Sequence, residues 1–425
     1  MLFTIMLISA IFEKVIWNVA GFRISLFMIV GIFFFVSELF KNKGKFFFDF
    51  SEKRILIAKL AMIGYILFQT ITVDKSGEML NQYTKGLIAL VLEFIIIFAA
   101  IDYIHRERYK FSFSKMINLM FFICSINTIY CIAQRINPQI DEILVRITHS
   151  TVTRYGLDAY GQLGRITGLF TDSSNNGVFL VFTLLVVYLY LGENSESKAR
   201  LFFARIIGIL SIISLVLTFS LTAYIGLFIL IIGYFIHNNL KKQLMLLIGI
   251  VCALVAFGYI YKNNIFIAEI FNDKISRLLI TFTNSRNGVM EASHFGLIIY
   301  SLKIWTYSVV TIIFGTGYNC MNIYFERLFG LAGYKAHNIY LQNLAELGFF
   351  GFVLFIIYLI SIYKLIDHNN RWRTIIDTFF IALLVMNVTY DSMAQNMFYL
   401  VLFLLVTYHE QDNKYDLRGN YLDEY

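Results

Sequence analysis

One proline, Pro138, stands in 425 residues, so almost no helix in this chain is interrupted by a missing backbone N–H. Charge is scarce as well: Asp, Glu, Lys and Arg make up 15% of the chain, against about a quarter in a soluble domain. The four cysteines (Cys124, Cys131, Cys252, Cys320) form no Cys-x-x-Cys pair, and three lie in apolar runs. That spacing speaks against a cysteine-based metal or redox motif and for buried, inert thiols. No cleavable leader is evident, because Glu13 and Lys14 interrupt the first apolar run and no small-residue cleavage site follows it. Repeats, low-complexity tracts and a soluble domain are also missing.

What fills the chain is apolar. Hydrophobic residues reach 58%, with 43 Phe and 27 Tyr, and the mean hydropathy is +0.69. This composition belongs in a bilayer, where interfacial rings are common. The net charge of +7 is then a matter of membrane orientation and does not indicate nucleic-acid binding.

A helix needs ~20 apolar residues to cross ~30 Å of hydrocarbon. That window predicts spans near 3–20, 22–40, 55–73, 86–104, 116–135, 174–191, 203–219, 222–237, 243–261, 339–363, 374–390 and 395–409. The fold class is therefore all-α, a polytopic membrane helical bundle of about twelve transmembrane helices in a single integral membrane domain over 1–425. If the N-terminus is cytoplasmic, the inside loops hold Lys41, Lys43, Lys45, Lys53, Arg54, Arg106, Arg108, Lys110, Lys115, Lys198, Arg200, Arg205, Lys241, Lys242, Lys364, Arg371 and Arg373. The short outside loops hold only Arg23, Lys75 and Lys85. That asymmetry obeys the positive-inside rule and places both termini in the cytoplasm.

Two outside segments exceed mere connections: 136–173, and a large extracytoplasmic loop over 262–338 between the ninth and tenth spans. The half-apolar stretch Phe295–Phe314 in the second is expected to lie on the membrane surface or pack over the bundle. The polar residues 410–425 are expected to form a flexible cytoplasmic tail.

Two motifs carry chemistry. The first is Gly164-Arg165-Ile166-Thr167-Gly168-Leu169-Phe170, followed by Asp172 and Asn175-Asn176-Gly177. Its glycines allow tight backbone turns, and Arg165 offers a planar fork suited to phosphate; a charged loop end held at the interface is the plainer alternative. The second runs from His337-Asn338 through Glu346 to Gly348 and Gly351. His337 stands where the large outer loop enters the tenth span, and Glu346 lies ~13 Å deeper by helical rise. A carboxylate at that depth requires a partner or an aqueous cavity, and the two glycines admit a close neighbour.

The run HNxxLxxLxExGxxG at 337–351, with GRxxGxF at 164–170 and Trp305…Gly315-Thr316-Gly317 between them, resembles the O-antigen polymerase and ligase family (Wzy-type polysaccharide polymerases and lipopolysaccharide ligases). The resemblance covers about 164–351; the first five spans match only in hydropathy. It implies a GT-C-like membrane fold and a metal-independent, cofactor-free glycosyltransferase. The expected donor is an undecaprenyl-diphosphate-linked oligosaccharide, met at the outer face of the inner membrane. Carried over by position, the functional residues are His337 and Arg165. The chain departs from the family where Ser220-Leu221 replaces a frequent Ser-Arg, and where Ser301 and Leu302 stand in place of an arginine before the tryptophan.

The chemistry asks for two kinds of help: charge stabilisation on the departing diphosphate and removal of a proton from the acceptor hydroxyl. The outer segments hold no Asp-x-Asp pair for a divalent ion, and arginine forks can take that part. Arg165 with Arg277 or Arg286 is the expected clamp, while Lys303, Asn338 and Glu346 complete the candidate substrate-binding set. Of the histidines on the outer side (His149, His294, His337), only His337 sits at a bundle mouth, where a group near pKa 6.5 can act as base.

The expected function is polymerisation of lipid-linked repeat units into capsule, O-antigen or exopolysaccharide, with a chain-length-regulating co-polymerase as a candidate partner. A ligase acting on the same donor is the alternative within the class. A lipid-oligosaccharide flippase or other transporter is the rival outside it, though transporters usually divide into two similar halves, which this chain does not. Glu93, Asn118, Asn127, Gln134 and Asn387, polar residues within spans, are expected to hydrogen-bond between helices.

Overall fold

The computed structural model describes the chain except residues 20–21, 73–76, 109–110, 138, 149–164, 195–196, 266–267, 270–271, 273–293, 332, 367–369, 391–395 and 420–425. The described residues form an α-helical bundle whose only sheet is a small hairpin. In chain order the helices are α1 Leu2–Ser9, α2 Leu26–Lys41, α3 Phe50–Gln69, α4 Gly77–Arg106, α5 Phe113–Ile136 and α6 Ile140–Thr148. They continue as α7 Ser173–Glu193, α8 Lys198–Leu217, α9 Leu221–His237, α10 Leu240–Asn263, α11 His294–Trp305 and α12 Val309–Phe314. The last four are α13 Met321–Phe329, α14 Ile339–Tyr363, α15 Arg373–Met386 and α16 Met397–Gly419.

Helix starts follow capping chemistry. Ser25, Asp49, Ser112, Asp172, Ser197, Ser220 and Asn338 each accept a backbone N–H of the first turn of α2, α3, α5, α7, α8, α9 and α14 respectively. Among the described residues, five helices (α4, α5, α7, α8 and α14) are long and apolar enough to cross a membrane. Helix α10 presents an apolar surface, on which Leu244, Met245, Ile248, Val251 and Val255 are all exposed.

The first expected span is corrected. Helix α1 stops at Ser9, and β1 (Ile16–Val19) pairs antiparallel with β2 (Phe22–Ser25) in the register Ile16↔Ser25 to Val19↔Phe22. The reason lies in Glu13 and Lys14, which are buried among polar partners. Lys14 Nζ donates to Asp141 at 2.7 Å and to Thr167 at 2.9 Å, and Asn175 Nδ2 donates to Glu13 at 3.2 Å. The two charges hold the 10–25 segment to one end of the bundle, where a continuous helix would place them in hydrocarbon.

At the other end, His105 Nδ1 lies 3.2 Å from Glu52 and 3.0 Å from Glu410, and Arg108 lies 3.3 Å from Glu410. These contacts tie α3, α4 and α16 together. The last helix runs on to Gly419, past residue 410 where the sequence suggests a tail. The stretch read as Phe295–Phe314 is two helices, α11 and α12, separated at Thr306–Ser308; both pack on α14.

Candidate active site

His337 is placed by the cap of α14. Asn338 Oδ1 accepts the backbone N–H groups of Tyr340 and Leu341, both at 3.0 Å, and Ile339 N–H donates to the Asn387 carbonyl at 3.1 Å. These N-terminal amides are thus satisfied by protein groups, and Asn338 serves the cap. His337, one residue earlier, is half-buried and adopts φ +48°. The left-handed region costs a non-glycine residue about 1–3 kcal/mol and is concentrated at functional sites. The imidazole centroid lies 6.4 Å from that of Tyr390.

Glu346 has a structural explanation for its depth. Its carboxylate accepts from Asn319 N–H at 2.9 Å, Met321 N–H at 3.3 Å and Gln342 Nε2 at 3.4 Å. The charge therefore caps the start of α13 and pins the turn before it, which answers the demand that an intramembrane carboxylate be paired. Two residues on, α14 breaks: Gly348 has φ +65° and ψ −171°, a region essentially reserved for glycine. Gly315, at φ +81° and ψ −178°, backs directly onto the break, so that a Cβ built there would lie 2.2 Å from the Glu346 carbonyl oxygen.

The carbonyls near the break do not go unpaired. Tyr65 donates to Leu347 O at 2.7 Å, Gln69 Nε2 to Glu346 O at 2.9 Å and also to Phe314 O, and Gly317 N–H to Glu346 O at 3.0 Å. Broken helices at membrane depth are tolerated where protein groups re-satisfy the backbone in this way.

Ile339, Gln342, Asn343 and Glu346 of α14 line a partly open cavity of ≈ 150 Å³. Its polar lining includes Lys59 from α3, Glu93 from α4, Lys335, and Gln342, Asn343 and Tyr358 from α14. Lys59 Nζ lies 3.8 Å from Glu93 and 5.2 Å from the Tyr358 ring centroid. Sequence reasoning considered Glu93 but passed over Lys59, Lys335, Gln342 and Tyr358. A lysine and a glutamate inside consecutive spans were the available signal.

Arg165 lies at the start of the segment that leads into α7. Its Nε donates to Thr218 O at 2.9 Å and its guanidinium also donates to Phe219 O at 3.2 Å, so the fork holds the α8–α9 junction. Ser220 then caps α9, Thr222 Oγ1 lies 2.8 Å from Thr389 Oγ1, and Tyr390 follows beside His337. This chain of contacts links the segment held by Arg165 to the neighbourhood of His337.

The rest of the Gly-Arg motif dips into the bundle. Gln134 Oε1 accepts from Thr167 N–H and Gly168 N–H, and Asn127 Oδ1 accepts from Leu169 N–H. Asn127 and Gln134 thus bond across elements as expected. So does Asn118, which accepts from Asn194. The Asn387 side chain bonds to Leu383 of its own helix; its carbonyl makes the link to α14.

Gly168 has φ +58°, and a Cβ there would lie 2.6 to 2.9 Å from Asn127 Oδ1, Asn176 Oδ1 and Cys131 Sγ. Gly168→Ala should cost about 2 kcal/mol or more from backbone strain and overlap together. Thermal unfolding of the solubilised protein reads this, with Gly64→Ala, which meets nothing within 4 Å, as the unaffected control.

Of the remaining expected residues, Lys303 is exposed and sits 5.6 Å from the Tyr300 ring centroid, outside the cavity lining. Arg277 and Arg286 lie outside the described residues. One group among the described residues has donor atoms close enough for a metal: Glu52, His105 and Glu410, within 4.8 Å of one another. It stands at the opposite end of the bundle, where the imidazole already bridges the two carboxylates.

Comparison with protein families matches residues 206–356 to the O-antigen ligase family model. The match contains the α8–α9 junction, α11 to α13 and the first half of α14, and bears out the resemblance seen in the motifs. Comparison with curated proteins finds no match. Over residues 206–356 this all-α membrane protein is therefore similar to the O-antigen ligases.

Proposed function

From a membrane protein that carries the O-antigen ligase match, we propose a metal-independent polymerase of undecaprenyl-diphosphate-linked repeat units, working at the outer face of the cytoplasmic membrane. The observation that carries this reading is His337 held at φ +48° between Lys335 and Ile339, two residues that line the cavity. The conformation is costly, and costly conformations concentrate at functional sites.

In the proposed step, His337 accepts the proton of an acceptor sugar hydroxyl. The hydroxyl oxygen forms a bond to the anomeric carbon of the donor, and the bond from that carbon to the lipid diphosphate breaks. The diphosphate leaves with the bonding electron pair, and attack from the opposite side inverts the anomeric centre. Cations help the leaving group; Arg277 and Arg286 are the proposed clamp, joined by Lys335 at the cavity. Arg165 contributes by holding the α8–α9 junction, and Asn338 and Glu346 by holding His337 and the turn beneath it. A chain-length-regulating co-polymerase fits this reading as a partner. A ligase passing finished glycan to another acceptor would use the same chemistry, and the matched family's description favours keeping it as the second reading.

Complementation in a host lacking its own polymerase, supplied with the cognate repeat-unit pathway, tests the proposal. Wild type should yield a ladder of long glycans, and His337→Ala should collapse it to single lipid-linked units at equal expression. Arg165→Lys should also fail, since one ammonium cannot reproduce two guanidinium bonds to Thr218 and Phe219. A wild-type protein that leaves only single units sinks the polymerase reading and brings the ligase forward.

A further inference from the structure

His105 Nδ1 stands 3.0 Å from Glu410 Oε1 and 3.2 Å from Glu52 Oε2. A ring nitrogen carries at most one proton, and one N–H cannot point along both directions. Two carboxylates therefore converge on a donor that suits one of them. Glu52 is fully buried, at 0% exposure, and its second oxygen, Oε1, is buried with no hydrogen-bond partner. Buried polar atoms without a partner are rare enough that each asks for an explanation, and a carboxylate oxygen pays more for that state than a neutral group.

The surrounding contacts hold these side chains from behind. Asp49 N–H donates to Glu52 Oε2 at 2.9 Å, and Arg108 donates to the other oxygen of Glu410, Oε2, at 3.3 Å. Asp49 in turn lies 3.2 Å from His409. Outer partners of this kind orient the ligands of metal sites.

The spacing agrees with a shared ion. A zinc ion about 2.1 Å from an imidazole nitrogen and a carboxylate oxygen, at tetrahedral angles, sets those two atoms about 3.4 Å apart. Both separations from His105 fall a few tenths of an ångström short of that, and the donor atoms of all three residues lie within 4.8 Å of one another. One cation between them meets the imidazole lone pair and both carboxylates at once. A carboxylate that ligates through both oxygens also gives Glu52 Oε1 its partner. The mixture of imidazole and carboxylate suits zinc and its first-row neighbours, whereas magnesium and calcium prefer oxygen alone.

We propose that Glu52, His105 and Glu410 form a site for one divalent transition-metal ion of the zinc class, which clips α3, α4 and α16 together. His105 and Glu410 are 305 residues apart in the chain, so the ion closes a long loop and binds the folded state alone. The site is remote from the candidate active site. Gln69, at the other end of α3, bonds to the Glu346 carbonyl, and helical rise puts Glu52 about 26 Å from it. The ion is structural, and the proposal stands independently of the polymerase reading.

The full chain in lipid nanodiscs, stripped with EDTA, reloaded with zinc and dialysed against metal-free buffer, provides the test, with metal counted by mass spectrometry. Wild type should keep close to one zinc per chain and melt higher with zinc than with EDTA. Glu52→Gln and His105→Gln should each bind about tenfold more weakly or worse and lose the difference in melting temperature. His237→Gln, outside the group, should bind as wild type does. Cobalt(II) reads the site in the unaltered chain, without reliance on the folding of any variant. Its visible absorption should become stronger than that of the hydrated ion, and added zinc should abolish the gain. Three results overturn the proposal: wild type that keeps no zinc, zinc binding unchanged in both Glu52→Gln and His105→Gln, or cobalt that retains the spectrum of the hydrated ion. Each would leave the three side chains as a hydrogen-bonded clasp.

Discussion

Gly348→Ala is expected to be among the most damaging single changes in this chain, with a loss exceeding about 4 kcal/mol and little folded protein recovered. The residue sits at φ +65° and ψ −171°, which costs an L side chain about 1–3 kcal/mol by itself. A Cβ would also lie 2.5 Å from Gly315 N, 2.5 Å from Ile313 O and 2.6 Å from Ile313 C. These are backbone atoms, held by the hydrogen bonds of Tyr65, Gln69, Thr316 and Gly317 to the carbonyls of 314 and 345–347, so no side chain can swing away to make room. Gly315→Ala should behave alike, since its Cβ meets Glu346 O at 2.2 Å and Gly348 N at 2.5 Å. Fluorescence-detected size exclusion and thermal unfolding in detergent measure both, with Gly249→Ala, which meets nothing within 4 Å, as the benign comparison. A Gly348→Ala protein that melts within a degree or two of wild type would show that the break in α14 is not required.

The second large effect is expected at Lys59. Replacing it by Met should destabilise the protein by about 3 kcal/mol, the lower end of the range for stranding one member of a buried ion pair. The lower end applies because the side chains of Lys59 and Glu93 keep 11% and 19% exposure toward the cavity. Glu93 then has no ammonium at 3.8 Å, and the Tyr358 ring loses the cation above it. The double variant Lys59→Met with Glu93→Met should return to near wild-type stability, because an apolar pair of similar volume removes both desolvation costs at once. Thermal or denaturant unfolding of the single and double variants closes the cycle. Additive losses, with the double variant worse than either single, would mean that the two charges do not stabilise one another.

These expectations mark the division between what hydropathy carries and what it does not. Runs of apolar residues were sufficient to place α2 to α5, α7 to α10 and α14 to α16 near their observed positions, because the need to hide backbone polar groups from lipid acts on each segment separately. Local chemistry was equally legible where it acts over a few residues: Ser220 at the junction of α8 and α9, and the glycines at 348 and 351 as points of close approach, whereas Asn338, read as a substrate group, also caps α14. The first helix was misplaced for the opposite reason. Nothing within residues 3–20 says that Glu13 and Lys14 will find Asn175, Asp141 and Thr167, and without those partners the run scores simply as apolar.

The candidate site divides in the same way. By itself the sequence determined that this is a helical membrane protein, that a histidine stands at the mouth of a late span, and that its neighbourhood resembles polysaccharide polymerases and ligases. Only the tertiary structure decided what the motif residues touch. Arg165 holds Thr218 and Phe219, and Glu346 both caps a turn and lines the cavity. Lys59 and Glu93 became one pair, and Gln342 and Tyr358 became the walls of one cavity. The physical reason is range: helix formation and local caps are settled by neighbours a few residues away, whereas pairing and orientation depend on contacts between residues far apart in the sequence.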